Sequence, residues 1–282
     1  MAWFSTKRST AITVAATAAL ALAVPAASAL AAGRPQRATA ALPVITVTMN
    51  GKSISVAGAL VSGGVKVVSK VSREASGNPT FVRLDPGVTV PQLLKAAAGD
   101  PNNIALVASI VFSPQANKGT SWAEVSLRPG NYVAVDLNTN PSNPALTTFT
   151  ISPSASPARL PTPSASLNSI EFGFRGASTL HDGELVRFGN HGFLVHMMFA
   201  ARGASKARAD QIAALLKAGK DGKAQKLADG SYLFFGILTH DQSEQQVVRL
   251  RPGYWVIACF MDTQDGREHT RLGMERVIHI VR

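Results

Sequence analysis

The chain has 282 residues, with 28 Lys and Arg against 17 Asp and Glu, a formal net charge of +11 and one cysteine. At roughly 100–150 residues per domain, that length points to two domains once a targeting segment is set aside. A hydrophobic share of 46% excludes wholesale disorder. The single Cys excludes an intrachain disulfide framework and every multi-cysteine zinc or iron–sulfur site.

The N-terminus reads as a secretory signal peptide over residues 1–31. Lys7 and Arg8 form a basic n-region, Ala11–Val24 is an apolar run, and small-x-small sites follow at Ala27-Ser28-Ala29 and Ala29-Leu30-Ala31. No later stretch approaches the ~20 apolar residues of a spanning helix, so the mature protein is expected in the cell envelope or outside it, with no membrane span. Residues 32–43 form a flexible lead. The positive charge is spread along the chain, with one local excess, Arg202–Lys226, where seven basic residues face only Asp210 and Asp221. No aromatic platform or reading element accompanies it, so nucleic acid is not an expected partner. A solvated basic face, able to touch anionic envelope polymers, is expected instead.

In chain order, Val44–Met49 alternates as VITVTM, a strand pattern. Thr89–Ala98 reads as a capped helix with Pro91 in its first turn, and Ile104–Phe112 as an apolar strand. Ser152–Ser166 is a Pro/Ser/Ala-rich linker, separating a first domain (44–151) from a second (167–282). The second half repeats the order of the first: Gly183-Glu-Leu-Val186 after Gly58-Ala-Leu-Val61, a helix over Ser205–Ala218, a strand over Ser231–Leu238, and Leu250-Arg-Pro-Gly253 after Leu127-Arg-Pro-Gly130. In each LRPG, Pro fixes φ and Gly accepts the positive φ of a tight turn. About seven short strands and one helical excursion per half suit a pair of β-sandwiches.

The chemistry lies in the second half. Gly189-Asn-His-Gly-Phe-Leu-Val-His196 leads into one strand. Gly253-Tyr-Trp-Val-Ile-Ala-Cys259 ends another, a loop runs to His269, and Gly273-Met274 precedes the last strand. This order resembles the cupredoxins, the plastocyanin-like and azurin-like blue copper proteins, over Leu167–Arg282, and over Val44–Ile151 as a fold only. The resemblance implies an all-β chain of two tandem cupredoxin-like Greek-key β-sandwiches, each with a short helical insertion. It also implies one copper ion on His196, Cys259, His269 and, as the weak axial ligand, Met274. A soft thiolate, two imidazoles and a thioether favour copper over hard cations. In this reading Cys259 supplies electronic coupling to an unidentified redox or envelope partner, and His269 is the solvent-facing exit.

Two features depart from the family pattern. Nine residues, Phe260–Glu268, separate Cys259 from His269, a longer loop than the better-known members have and one expected to fix His269 less firmly. The turn before His196 is also slightly long. The first half serves as a control: Asp136 stands where Cys259 stands, the His196 position falls near Ser69, and no His occurs between Val44 and Ile151. That half is expected to bind no copper. Met197, Met198 and Met261 read as core rather than auxiliary ligands. No G-x-S-x-G, H-E-x-x-H, P-loop or His-x-His element is present, so neither hydrolase nor multicopper oxidase chemistry is expected, and the chain is not read as an enzyme. The competing reading is a metal-free secreted β-sandwich that binds or braces envelope components.

Overall fold

The computed structural model describes residues 41–139 and 144–282. The expected signal peptide, 1–31, lies outside them, as does the lead up to residue 40. The first half contributes β1 (Val44–Met49), β2 (Ile54–Gly58), β3 (Gly63–Gly77), β4 (Pro79–Leu84), β5 (Ala108–Phe112), β6 (Ala116–Leu127), β7 (Gly130–Asp136) and β8 (Leu146–Ile151). The second contributes β9 (Ala165–Ile170), β10 (Gly173–Gly176), β11 (Thr179–His181), β12 (Leu185–Asn190), β13 (His196–Gly203), β14 (Ala228–Leu238), β15 (Ser243–Val247), β16 (Gly253–Ala258) and β17 (Glu275–Val281). Each half thus carries more strands among the described residues than the expected seven. Strand alternation is the reason for burial. In β1, Ile45, Val47 and Met49 point inward while their neighbours do not.

The pairing of the first half recurs in the second. β1 runs antiparallel to β2 and parallel to β3, and β9 runs antiparallel to β10 and parallel to β12. In the facing sheets, β4 lies between β5 and β7, with β8 beyond; β13 lies between β14 and β16, with β17 and then β11 beyond. The fold is all-β, two Greek-key sandwiches with helical insertions. The first insertion is α1 (Val90–Gly99), where the Thr89 N–H donates to Gln92 Oε1 at 2.8 Å. The second is α2 (Lys206–Lys217), whose Ser205 Oγ accepts from Arg208 N at 3.2 Å. A further short helix, α3 (Asp221–Leu227), was not legible in the sequence. The start of the expected strand Ile104–Phe112 also departs from expectation. Pro101–Leu106 is a 3-10 turn started by the Asp100 side chain, and the strand begins only at Ala108.

Two LRPG corners hold the central strands in register. Gly130 and Gly253 take φ of 145° and 131°, a backbone that side chains rarely adopt. Behind each, an aromatic ring reaches back four residues: Tyr132 Oη donates to the Arg128 carbonyl at 2.7 Å, and Trp255 Nε1 to the Arg251 carbonyl at 3.0 Å. Both rings are otherwise fully buried.

Strands of both halves join in one eight-stranded sheet through β6 and β15, which pair Val125 with Glu244 and Glu124 with Gln245. The facing sheets also meet. Val82, Ile110, Val133 and Val135, on the side of β4, β5 and β7 turned away from their own sandwich core, belong to the same apolar cluster as Trp255, Cys259 and Met274. Residues 152–164 follow β3 closely enough that Gly64 N donates to the Ala158 carbonyl at 2.7 Å. A Cβ at Gly64 would lie 2.8 Å from Leu160 N, so only glycine fits. Among the described residues no helix is long and apolar enough to cross a membrane.

Candidate metal centre

Cys259 follows the last residue of β16, flanked by β13 and β17 at the centre of its sheet. The side chain is fully buried. Sγ accepts the Met197 N–H at 3.3 Å, and the Cys259 N–H donates to the Met274 carbonyl at 3.2 Å.

The long loop after Cys259 is not loose. Asp262 and Glu268 form an antiparallel bridge, and Thr263 N donates to the Arg267 carbonyl at 2.8 Å. His269 N then donates to the Met261 carbonyl at 2.8 Å. The extra residues therefore form a closed hairpin, and the chain resumes at His269 almost where it left at Met261. This corrects the expectation that loop length would weaken the hold on His269. A 3-10 turn, His269–Leu272, ends at Gly273 with φ of 98°, and Met274 N closes on the His269 carbonyl at 3.0 Å. Cysteine, histidine and methionine are thus locked together by main-chain hydrogen bonds.

His196 is the first residue of β13, paired with Leu238. The turn before it is held by buried Asn190, whose Nδ2 donates to the carbonyls of Leu194 and Leu238, both at 2.8 Å, and whose Oδ1 accepts from Gly192 N at 2.9 Å. A Cβ on Gly192 would lie 2.6 Å from His196 Nε2, so the turn passes over the imidazole as only glycine can. The added length of the turn is taken up by these bonds.

The three side chains converge. His196 Nδ1 lies 3.2 Å from His269 Nδ1, and Cys259 Sγ lies 3.3 Å from His269 Nδ1 and 3.8 Å from His196 Nδ1. The point equidistant from the corners of such a triangle is about 2.0 Å from each. Imidazole and thiolate bonds to a divalent d-block ion run to roughly 2.0–2.1 and 2.3 Å. Among the described residues, this trio is the one group of His, Cys, Asp or Glu whose donor atoms could hold a metal. Met274 is fully buried in the same apolar cluster as Cys259. Two imidazoles and a thiolate in a trigonal set fit one type 1 copper ion.

The electrostatics favour neutral ligands. Burial, with His269 adding to it, lowers the His196 pKa to about 3, and burial lowers that of His269 to about 4. Both rings are therefore unprotonated near neutrality, as ligands must be. Burial pushes the Cys259 thiol up to about 12 despite hydrogen bonds from the backbone. Burial likewise raises Tyr132 to about 12. Between the usual thiol value and 12 the folded metal-free chain holds a proton that the unfolded chain has released, so stability falls as pH rises there. We expect urea midpoints of the metal-free protein to drop between pH 9 and 11, reporting a stability loss on the order of a few kcal/mol in total. In Cys259→Ala the drop begins later, near the phenol range of Tyr132. A flat profile over that window in the wild-type chain contradicts the burial of the thiol.

The sequence missed the cover of the site. The β9–β10 turn is Glu171-Phe172, and Phe172 sits at φ of 54°, a costly conformation for a bulky residue. Its ring meets His269 edge-on, with centroids 5.3 Å apart. Glu171 Oε1 accepts from Phe193 N and from Leu194 N (3.3 Å), and lies 4.0 Å from His196 Nε2. His269 is consequently fully buried, which overturns its expected role as a solvent-facing exit. No local pattern distinguishes this turn, since Ile170–Phe174 alternates as a single strand would.

In the first half, Asp136 occupies the Cys259 place. Its Oδ1 accepts from Asn78 N at 2.9 Å as Cys259 Sγ accepts from Met197 N. The β4–β7 register then puts Gly77, not Ser69, at the His196 position. Asp136 Oδ1 also accepts from Asn138 N at 3.1 Å, so this oxygen is engaged by two main-chain donors. Met197, Met198 and Met261 are core residues.

No protein-family model matches the chain, and no curated protein matches it. Solved structures do. Auracyanin B is 16% identical over 44% of this chain and 93% of its own, with a TM-score of 0.29. Auracyanin A, a "blue" copper protein from Chloroflexus aurantiacus, is 17% identical over 41% of this chain and 96% of its own, with a TM-score of 0.26. A Cu-containing nitrite reductase from Thermus scotoductus SA-01 is 10% identical over 85% of this chain and 67% of its own, with a TM-score of 0.26. At scores of this size none of these likenesses assigns the chain a function.

Proposed function

We propose that this chain is an exported protein of two tandem cupredoxin-like domains of one ancestry, the second holding a single mononuclear copper for electron transfer or copper handling. His196, Cys259 and His269 would hold the ion through Nδ1, Sγ and Nδ1, and Met274 would add a weak thioether donor. The carrying observation is the buried triangle of donors, 3.2, 3.3 and 3.8 Å on its sides. The bound ion supplies one-electron exchange. The protein's part is to hold donors that suit both oxidation states and to keep water away. Asn190 and the Met261–His269 and His269–Met274 bonds fix the imidazoles, and the Met197 N–H steadies the thiolate. Export rests on the N-terminal sequence pattern, and the recurrent strand pairing and LRPG corners support the shared ancestry. Contact with an anionic envelope polymer through Arg202–Lys226 is part of the same proposal.

The test is a Cu(II) titration of the purified mature chain. One equivalent is expected to give an intense visible thiolate-to-copper band and to survive gel filtration. No band and no retained copper overturn the proposal.

A further inference from the structure

Asn102 of the first half hydrogen-bonds to both segments that lead to the candidate histidine ligands. Asn102, on the Pro101–Leu106 turn, is 6% exposed. Asp100 Oδ1 accepts from both Asn102 N and Asn102 Nδ2, at 2.9 and 3.0 Å, so the amide is aimed before it meets anything from the other half. Its remaining bonds both leave the first half. Nδ2 donates to the Asp262 carbonyl at 2.7 Å, and Oδ1 accepts from Val195 N at 3.2 Å.

The two partners are the roots of the two ligand segments. Val195 immediately precedes His196. Asp262 opens the hairpin that closes at Glu268, immediately before His269. A planar amide with one donor and one acceptor engaged on opposite sides sets a fixed spacing between them. A side-chain amide carries its donor on nitrogen and its acceptor on a separate oxygen, so it can serve both partners at once, whereas an ionised Asp only accepts.

We infer that Asn102 is a positioning residue of the metal centre, through which the ligand-free half sets the separation of His196 and His269. The inference rests on the copper reading for its metal, but the clamp itself belongs to the metal-free chain and can be measured there. It also gives the first half a task that its missing ligands do not.

Two variants of the full chain test it, Asn102→Ala and Asn102→Asp. In the metal-free protein, amide exchange at Val195 is expected to quicken at least about tenfold in Asn102→Ala, while Ile257 in β16 keeps its wild-type rate. Asn102→Asp keeps an acceptor for Val195, so exchange there stays slow, but it sets a carboxylate oxygen against the Asp262 carbonyl. In the copper-loaded protein both variants are expected to shift the thiolate-to-copper band and the EPR hyperfine splitting. Both should also release copper to a chelator roughly 10–100-fold faster, the usual scale for an outer-shell partner. A residue with only a structural role would lower the unfolding midpoint and leave the band and the release rate alone. Folded Asn102→Ala with wild-type Val195 exchange, band and copper release overturns the inference. If the wild-type chain takes up no copper, the proposed function falls, and Val195 exchange alone decides whether Asn102 spaces the two histidine segments.

Discussion

Cys259→Ser is expected to abolish the visible thiolate-to-copper band outright and to weaken Cu(II) binding by more than the roughly 10–100-fold that loss of an outer-shell partner costs. The reasoning starts from protonation. Burial pushes the thiol up to about 12 and lowers the two histidines to about 3 and 4. At pH 7 the metal-free site therefore carries one acidic proton, on sulfur, and none on either ring. Cys259 gives up that proton on becoming a ligand, so about one proton is released per copper bound, with little change between pH 6 and 8. Calorimetry in buffers of different ionisation enthalpy counts it. The serine variant, whose hydroxyl stays protonated, releases none. Release of two or more protons by the wild-type chain near pH 6 means that the histidines start out charged, and the picture of a dry, neutral site fails.

Trp255→Ala carries the largest expected stability loss, about 3–5 kcal/mol, a large fraction of what a domain typically has. Trp255 is among the largest fully buried side chains, in the same cluster as Cys259 and Met274. Its Nε1–H also closes the second LRPG corner on the Arg251 carbonyl. Trp255→Phe separates the two effects: most of the packing stays, and the lost hydrogen bond costs about 1 kcal/mol. Tyr132→Phe at the first corner should cost about the same, since there only a hydroxyl is removed. Urea midpoints at constant m-value report all three. If Trp255→Ala costs less than about 1 kcal/mol, the corner is not where the second sandwich is held.

The position of Cys259 was legible because a strand pattern ends there, ahead of a loop, His269 and Gly273-Met274. The identity of Asp136 as its counterpart was legible because both follow LRPG by the same count. The Ser69 assignment failed for a physical reason. It counted along the chain, whereas strand register depends on the loops between strands, and those differ in length between the halves; the β4–β7 pairing moves the position to Gly77. The helix cap at Thr89 was readable because caps are local. The turn over residues 104–106 was not, because it opens the apolar run Ile104–Phe112, which suits a strand throughout.

By itself the sequence pointed to His196, Cys259, His269 and Met274 as candidate ligands, to the two β-sandwiches and to the glycine corners. Each of these follows from residue chemistry or from periods of a few residues. Tertiary structure alone decided that the nine-residue loop closes on itself, that Phe172 buries His269, and that Asn102 joins segments 93 and 160 positions away. Those outcomes turn on main-chain groups finding partners far along the chain. A backbone N–H or carbonyl is the same in every residue that carries it, so the letters do not say which distant partner it will meet.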